Sequence, residues 1–135
     1  MLAGCAGPTG RAPTAIYPDG AGQVREYATG PYGQETWMVR LGADGKQLSA
    51  EQVLTDARFA TVRVGATGKQ DMLRTFGRPA ETSRVAQQDF EVWSYRYKQG
   101  GVWPALMHVH FDRDGIVRMM MNGPDPMYDR SGQRD

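Results

Sequence analysis

Leu106-Met107-His108-Val109-His110-Phe111, then Arg113-Asp114-Gly115, then Ile116-Val117-Arg118-Met119, reads as a strand, a tight turn and a second strand. Met107, Val109 and Phe111 alternate with His108, His110 and Asp112. A period of two with one apolar side is the pattern of a half-buried strand. The Asp-Gly pair predicts a hairpin, because glycine tolerates the positive φ that tight turns demand. The same order occurs earlier in the chain: Thr36-Trp37-Met38-Val39-Arg40-Leu41, then Ala43-Asp44-Gly45, then Lys46-Gln47-Leu48. There Trp37, Val39 and Leu41 alternate with Met38 and Arg40, so the Trp37 side is expected to be the buried one.

The similarity continues upstream of both stretches. Gly10-Arg11-Ala12-Pro13-Thr14 leads into Val24-Arg25-Glu26-Tyr27-Ala28, and Gly77-Arg78-Pro79-Ala80-Glu81 leads into Glu91-Val92-Trp93-Ser94-Tyr95-Arg96-Tyr97. Internal similarity of this kind predicts duplication of one supersecondary unit that buries its apolar face against its neighbour. Each unit is read as three or four antiparallel strands. Trp93, Tyr95 and Tyr97 line one side of a strand and are expected in the core, with Tyr27 in the equivalent place of the first unit. Pro18-Asp19-Gly20 and Gly30-Pro31-Tyr32-Gly33 read as further turns.

A short helical segment, Asp56–Phe76, is expected between the units. Thr67-Gly68-Lys69-Gln70 fits a capping box, with the Thr67 hydroxyl accepting from the Gln70 amide. Met72, Leu73 and Phe76 fall on one helical face, and Gly77 with Pro79 ends the helix. A shorter helix is predicted from Asp56 to Thr61, with Phe59 pointing inward. The fold class is α+β: two tandem antiparallel β units with helix between them. Residues 10–54 form the first repeat and 55–122 the second. Residues 1–9 are expected to be a lipobox remnant and flexible N-terminus, and 123–135, mostly Gly, Pro and charge, are expected to be a flexible tail.

The chain has 135 residues and a formal net charge of +1, which argues against a dedicated nucleic-acid binder. Hydrophobic content of 40% and charged content of 23% are those of a folded protein. Its one cysteine, Cys5, closes the run Leu2-Ala3-Gly4-Cys5, which resembles the lipobox of bacterial prolipoproteins. Small residues at Ala3 and Gly4 suit a peptidase groove, and the thiol is the lipid acceptor. The alternative is a free cysteine. A signal peptide needs a basic segment and an apolar stretch ahead of the cleavage site, and only Met1 precedes Leu2.

The run Gly65-Ala66-Thr67-Gly68-Lys69-Gln70-Asp71-Met72-Leu73, then Phe76-Gly77-Arg78-Pro79, Trp93-Ser94-Tyr95, and Phe111-Asp112-Arg113-Asp114-Gly115-Ile116-Val117, resembles the SmpA/OmlA (BamE-like) lipoproteins. The match covers Gly65 to about Asn122, and the first half is similar to a second, degenerate copy that lacks the leading helix. The resemblance implies a two-layer α/β packing similar to the β-lactamase-inhibitor-protein fold. It implies a lipid anchor on the periplasmic side of the outer membrane, and accessory work with the β-barrel assembly machinery or other envelope proteins. Ala6 after the cysteine implies outer-membrane delivery by the enteric sorting rule. The other reading of the same fold is a soluble periplasmic binding or enzyme-inhibitor module.

Chemistry in the chain is sparse. His108 and His110, with Asp112, are a weak candidate set for Zn²⁺ or Cu²⁺, against a plain solvated strand face. No serine sits in a Gly-x-Ser-x-Gly turn, and Gly20-Ala21-Gly22 lacks the lysine of a phosphate loop. No catalysis and no cofactor are therefore expected. Two aromatics in turn segments, Trp103 in Gly100-Gly101-Val102-Trp103-Pro104 and Tyr32, are the candidate contact residues for a partner; for Trp103 the alternatives are a lipid interface or tucking back onto the sheet edge.

Overall fold

A computed structural model describes residues 12–128. Its first half contains β1 (Ala15–Asp19), β2 (Gly22–Thr29), β3 (Glu35–Leu41) and β4 (Gln47–Gln52). Two short helices follow, α1 (Asp56–Phe59) and α2 (Lys69–Phe76). The second half contains β5 (Glu81–Val85), β6 (Phe90–Gln99), β7 (Trp103–Phe111) and β8 (Val117–Pro124). The strands form two separate four-stranded antiparallel sheets, each in simple meander order. The architecture is mostly β, roughly α+β, with the helices between the sheets in sequence.

The two sheets share local detail as well as order. In the β3–β4 turn, Gly42 N donates to Lys46 O (2.9 Å) and Gly45 N to Gly42 O (2.9 Å). In the β7–β8 turn, Asp112 N donates to Ile116 O (3.0 Å) and Gly115 N to Asp112 O (3.0 Å). Gly45 and Gly115 both adopt the positive φ that a side chain resists. A register shift precedes each turn, between Arg40 and Leu41 and between His110 and Phe111.

Most of the core belongs to the second sheet. Trp93, Tyr95 and Tyr97 of β6 and Val109 and Phe111 of β7 pack on Phe59, Met72 and Phe76 of the helices. The Phe59 and Phe76 rings stack at 4.7 Å, and Tyr97 meets Phe59 edge-on at 4.9 Å. Such ring pairs each add about 0.5–1.5 kcal/mol beyond the area they bury.

The first sheet is turned the other way. Met38 is the residue of β3 in the common core, joined by Val53 and Leu54 just past β4. By register, Trp37, Val39 and Leu41 share the opposite face with Tyr27 and Ala50. Tyr27 and Val39 are buried, but outside the common core. This corrects the expectation for both Trp37 and Tyr27. The cause is area: α1 and α2 span four and eight residues, and the second sheet's rings already cover them.

Three further expectations change. Helix α2 begins one residue late, with Gly68 as its N-cap. The Thr67 hydroxyl accepts from Arg63 N instead (2.9 Å), and Asp71 reaches back to Gly68 N (3.0 Å). The region Asp56–Phe76 is two helices joined by turns, with α1 closing at Phe59 rather than Thr61. Residues 123–128, read from composition as tail, belong to the fold: β8 runs to Pro124, and Asp125 is buried. Its amide donates to Pro104 O (3.2 Å).

Candidate functional site

The buried carboxylate of Asp125 organises one end of the second sheet. It accepts from Arg96 Nε (3.0 Å), and Arg96 Nη2 also donates to Glu81 (3.1 Å). A buried pair of this kind costs desolvation, so its value is positional: losing one partner strands the other charge. Asp125 Oδ1 accepts from Met127 N (3.0 Å), which holds the chain onward to Tyr128. The Arg96 guanidinium lies 5.9 Å from the Tyr32 ring centre, and Tyr128 meets Tyr32 edge-on at 5.8 Å. Tyr32 itself has φ 54°, an uncommon left-handed residue that is not glycine. It is 60% exposed.

Trp103 opens β7 rather than lying in a loop, paired with Gln99 across the tight Gly100-Gly101-Val102 turn. It is 70% exposed and adjoins Pro104, the acceptor for Asp125 N. The hairpin tip is fastened by Gly100 N donating to Asp56 (2.6 Å). Contacts therefore run from Tyr32 through Arg96 and Asp125 to Pro104 and Trp103. By alternation Trp103 shares its face with Tyr97 and Tyr95, whereas Arg96, which carries Tyr32, projects from the other face of the sheet. An exposed ring seated on a hydrogen-bonded frame, as Tyr32 is on Arg96 and Asp125, suits recognition.

The strand-face histidines are engaged differently than the alternation predicts. His108 Nδ1 shares a hydrogen bond with Ser94 Oγ (2.7 Å). His110 is buried, edge-on to Phe90, and its Nδ1 has no partner. Burial first, and His108 second, pull the His110 pKa below its ordinary value. Asp112 is occupied by the turn, accepting from Arg118 Nε (2.6 Å) and from the amides of Asp114 and Ile116. Arg118 chiefly, then Ile116 N, hold its carboxyl below the usual range. Among the described residues, no three His, Cys, Asp or Glu side chains are grouped to hold a metal. Cys5 lies outside the described residues.

Two features escaped the sequence reading. Glu26, buried on the inner face of β2, accepts from the Tyr17 hydroxyl (2.7 Å) and Arg78 N (3.2 Å). Burial first, and the Glu26 bond second, raise the Tyr17 pKa. A Cβ on Gly77 would come within 2.5 Å of the Glu26 carboxyl carbon, so only glycine fits there. The Tyr95 hydroxyl donates to Gly77 O (3.0 Å), which completes a polar clasp between the sheets. The signal was a carboxylate at an inward strand position, Glu26 between Val24 and Ala28. The second feature is a cleft of about 310 Å³ beside the inner face of the first sheet. Its apolar floor includes Val24, Met38 and Val53, and Arg40, Arg58 and Arg74 ring it. Asp19 neutralises Arg40 and Glu51 neutralises Arg58. No sequence spacing links these arginines, since β3, α1 and α2 each supply one.

Comparison with protein-family models, with curated proteins and with solved structures finds no match to this chain.

Proposed function

We propose that this chain is a non-catalytic binding protein of the bacterial envelope. A lipid on Cys5 holds it at the periplasmic face of the outer membrane, where it contributes to outer-membrane assembly or integrity. In this reading the sheets and helices correspond to the two-layer β-lactamase-inhibitor-protein-like packing. The location rests on Leu2-Ala3-Gly4-Cys5 and on the SmpA/OmlA resemblance. The binding role rests on one observation: Tyr32 is exposed over the Arg96–Asp125 frame at one end of the second sheet, and Trp103 is a second exposed aromatic on the opposite face. Tethering raises the effective concentration of that end for membrane neighbours, so weak contacts suffice. The several acyl chains of a mature lipoprotein anchor firmly where one would not.

Two variants test the halves separately. Cys5→Ser is expected to move the protein from the membrane to the soluble fraction. Tyr32→Ala with Trp103→Ala is expected to stay on the membrane yet leave cells as permeable to large antibiotics as a deletion. Unchanged fractionation of Cys5→Ser removes the tether. A deletion strain with ordinary permeability and ordinary barrel-protein levels removes the role.

A further inference from the structure

Each open sheet has two edge strands, and an edge invites pairing unless something blocks it. Three of the edges are blunted: β1 carries Pro18 and Asp19, β4 carries Glu51, and β5 carries Glu81 and Arg84. The fourth, β8, runs Met119-Met120-Met121-Asn122-Gly123 with no charge. Its ends are closed. Val117 N donates to Thr67 O (2.8 Å) and Val117 O accepts from Gly65 N (2.7 Å), so residues 65–67 already occupy the edge there. At the far end Pro124 has no N–H to offer.

Alternation fixes which groups face outward between those ends. Asp125 N bonds Pro104 O across the β7–β8 ladder. Counting back from it, Gly123, Met121 and Met119 direct their main-chain groups toward β7, and Asn122 and Met120 direct theirs away. Among the described residues, no main-chain bond outside the ladder uses Met120 or Asn122. Their side chains point to the helix side, where Met120 packs on the core and Asn122 Nδ2 donates to the Tyr97 hydroxyl (3.0 Å). Met119 and Met121 lie on the opposite face, 38% and 50% exposed.

We infer that the β8 edge pairs with β8 of a second copy of this chain, antiparallel about a two-fold axis at Met121. This register places Met120 of each copy opposite Asn122 of the other, so both exchange their free N–H and C=O groups. Met121 meets its own symmetry mate at a non-hydrogen-bonded position, where facing side chains approach closest. Met119 of each copy lies opposite Gly123, beside which a Cβ would meet nothing within 4 Å. Large therefore faces small, twice. The nearest charge, Arg118, is held by Asp112 of its own chain and lies opposite Pro124 rather than another arginine. The two second sheets become one continuous sheet, an isologous arrangement that closes on itself.

The test is the solution mass of the full chain by light scattering across a dilution series. The expected result is twice the chain mass at high concentration, falling to one chain mass on dilution. Met121→Lys sets two ammonium groups face to face and is expected to give one chain mass throughout. Leu48→Lys, on the β4 edge, is expected to leave the dimer intact. Should Met121→Lys fail to fold, amide exchange of the wild type decides: Met120 and Asn122 are to become protected as concentration rises. A wild type of one chain mass at every concentration overturns the inference. So does a dimer in which those two amides exchange as fast as in the dilute protein.

Discussion

The two sheets have the same strand order, the same turn bonds and the same bulge position, yet they use their alternation oppositely. The second sheet lays Trp93, Tyr95, Tyr97 and Phe111 on the helices. The first offers Met38 to that core, clasps Gly77 with Glu26, and turns Tyr27, Trp37 and Val39 away. A strand's period of two divides residues between faces but does not say which face is buried. The helical layer decides, and a layer of two short helices has room for one aromatic face. A duplicated unit is therefore not a duplicated environment: the same pattern lies in the common core in one copy and outside it in the other.

The sharpest break in the comparison is between equivalent aromatics. Tyr95→Ala is expected to cost about 3–5 kcal/mol, as large-to-small core changes do, and Trp37→Ala about 1 kcal/mol. Urea unfolding of both variants checks this, and equal costs would mean that the two faces are equally buried. Next in size is the clasp. Gly77→Ala combines a positive φ with a Cβ driven into Glu26, and is expected to cost about 2–3 kcal/mol, whereas Gly45→Ala meets no atom and carries only the turn strain. Thermal melts of the two glycine variants give the difference directly. Glu26→Gln keeps an acceptor for Tyr17 and is expected to lose about 1 kcal/mol, less than Glu26→Ala, which leaves the Tyr17 hydroxyl and Arg78 amide unpaired.

The smallest effect concerns pH and the second sheet alone. His110 is held neutral, so its folded pKa lies below the unfolded value of about 6.5. As pH falls through that value the unfolded chain takes up the proton first, and stability falls. Above the ordinary histidine range the contribution is constant. Denaturant midpoints from pH 7.5 to pH 5 should therefore decline, and His110→Phe should flatten the decline. Any acid loss at still lower pH belongs to carboxylates such as Glu91 and Asp112, whose partners Lys69 and Arg118 hold them ionised.

Much of the second sheet was legible in the sequence. Phe59, Met72 and Phe76 pointed inward as their helical spacing required, Gly77 closed α2, and the Trp93-Tyr95-Tyr97 stripe lies in the core. Both Asp-Gly turns stand where their glycines placed them. What was not legible depended on contacts between distant segments. Trp37 and Met38 are both apolar, so alternation could not choose between them. Asp125 looks like tail composition until Arg96, 29 residues earlier, is seen to need it. Of the contact candidates, Tyr32 and Trp103 were picked from turn-rich neighbours, but their placement on opposite faces of the second sheet depended on the β6–β7 register and on the Arg96 contact. Among the described residues, no third ligand joins the weak metal candidates His108 and His110, and Asp112 is taken by the turn.

The direct test of the inverted first sheet is thiol labelling of single cysteines placed at neighbouring positions, Trp37→Cys and Met38→Cys, in a Cys5→Ser background. The Met38→Cys thiol is expected to react only as fast as the protein opens, and the Trp37→Cys thiol many times faster under native conditions. Fast labelling at 38 with protection at 37 would place the Trp37 side against the helices and contradict the account.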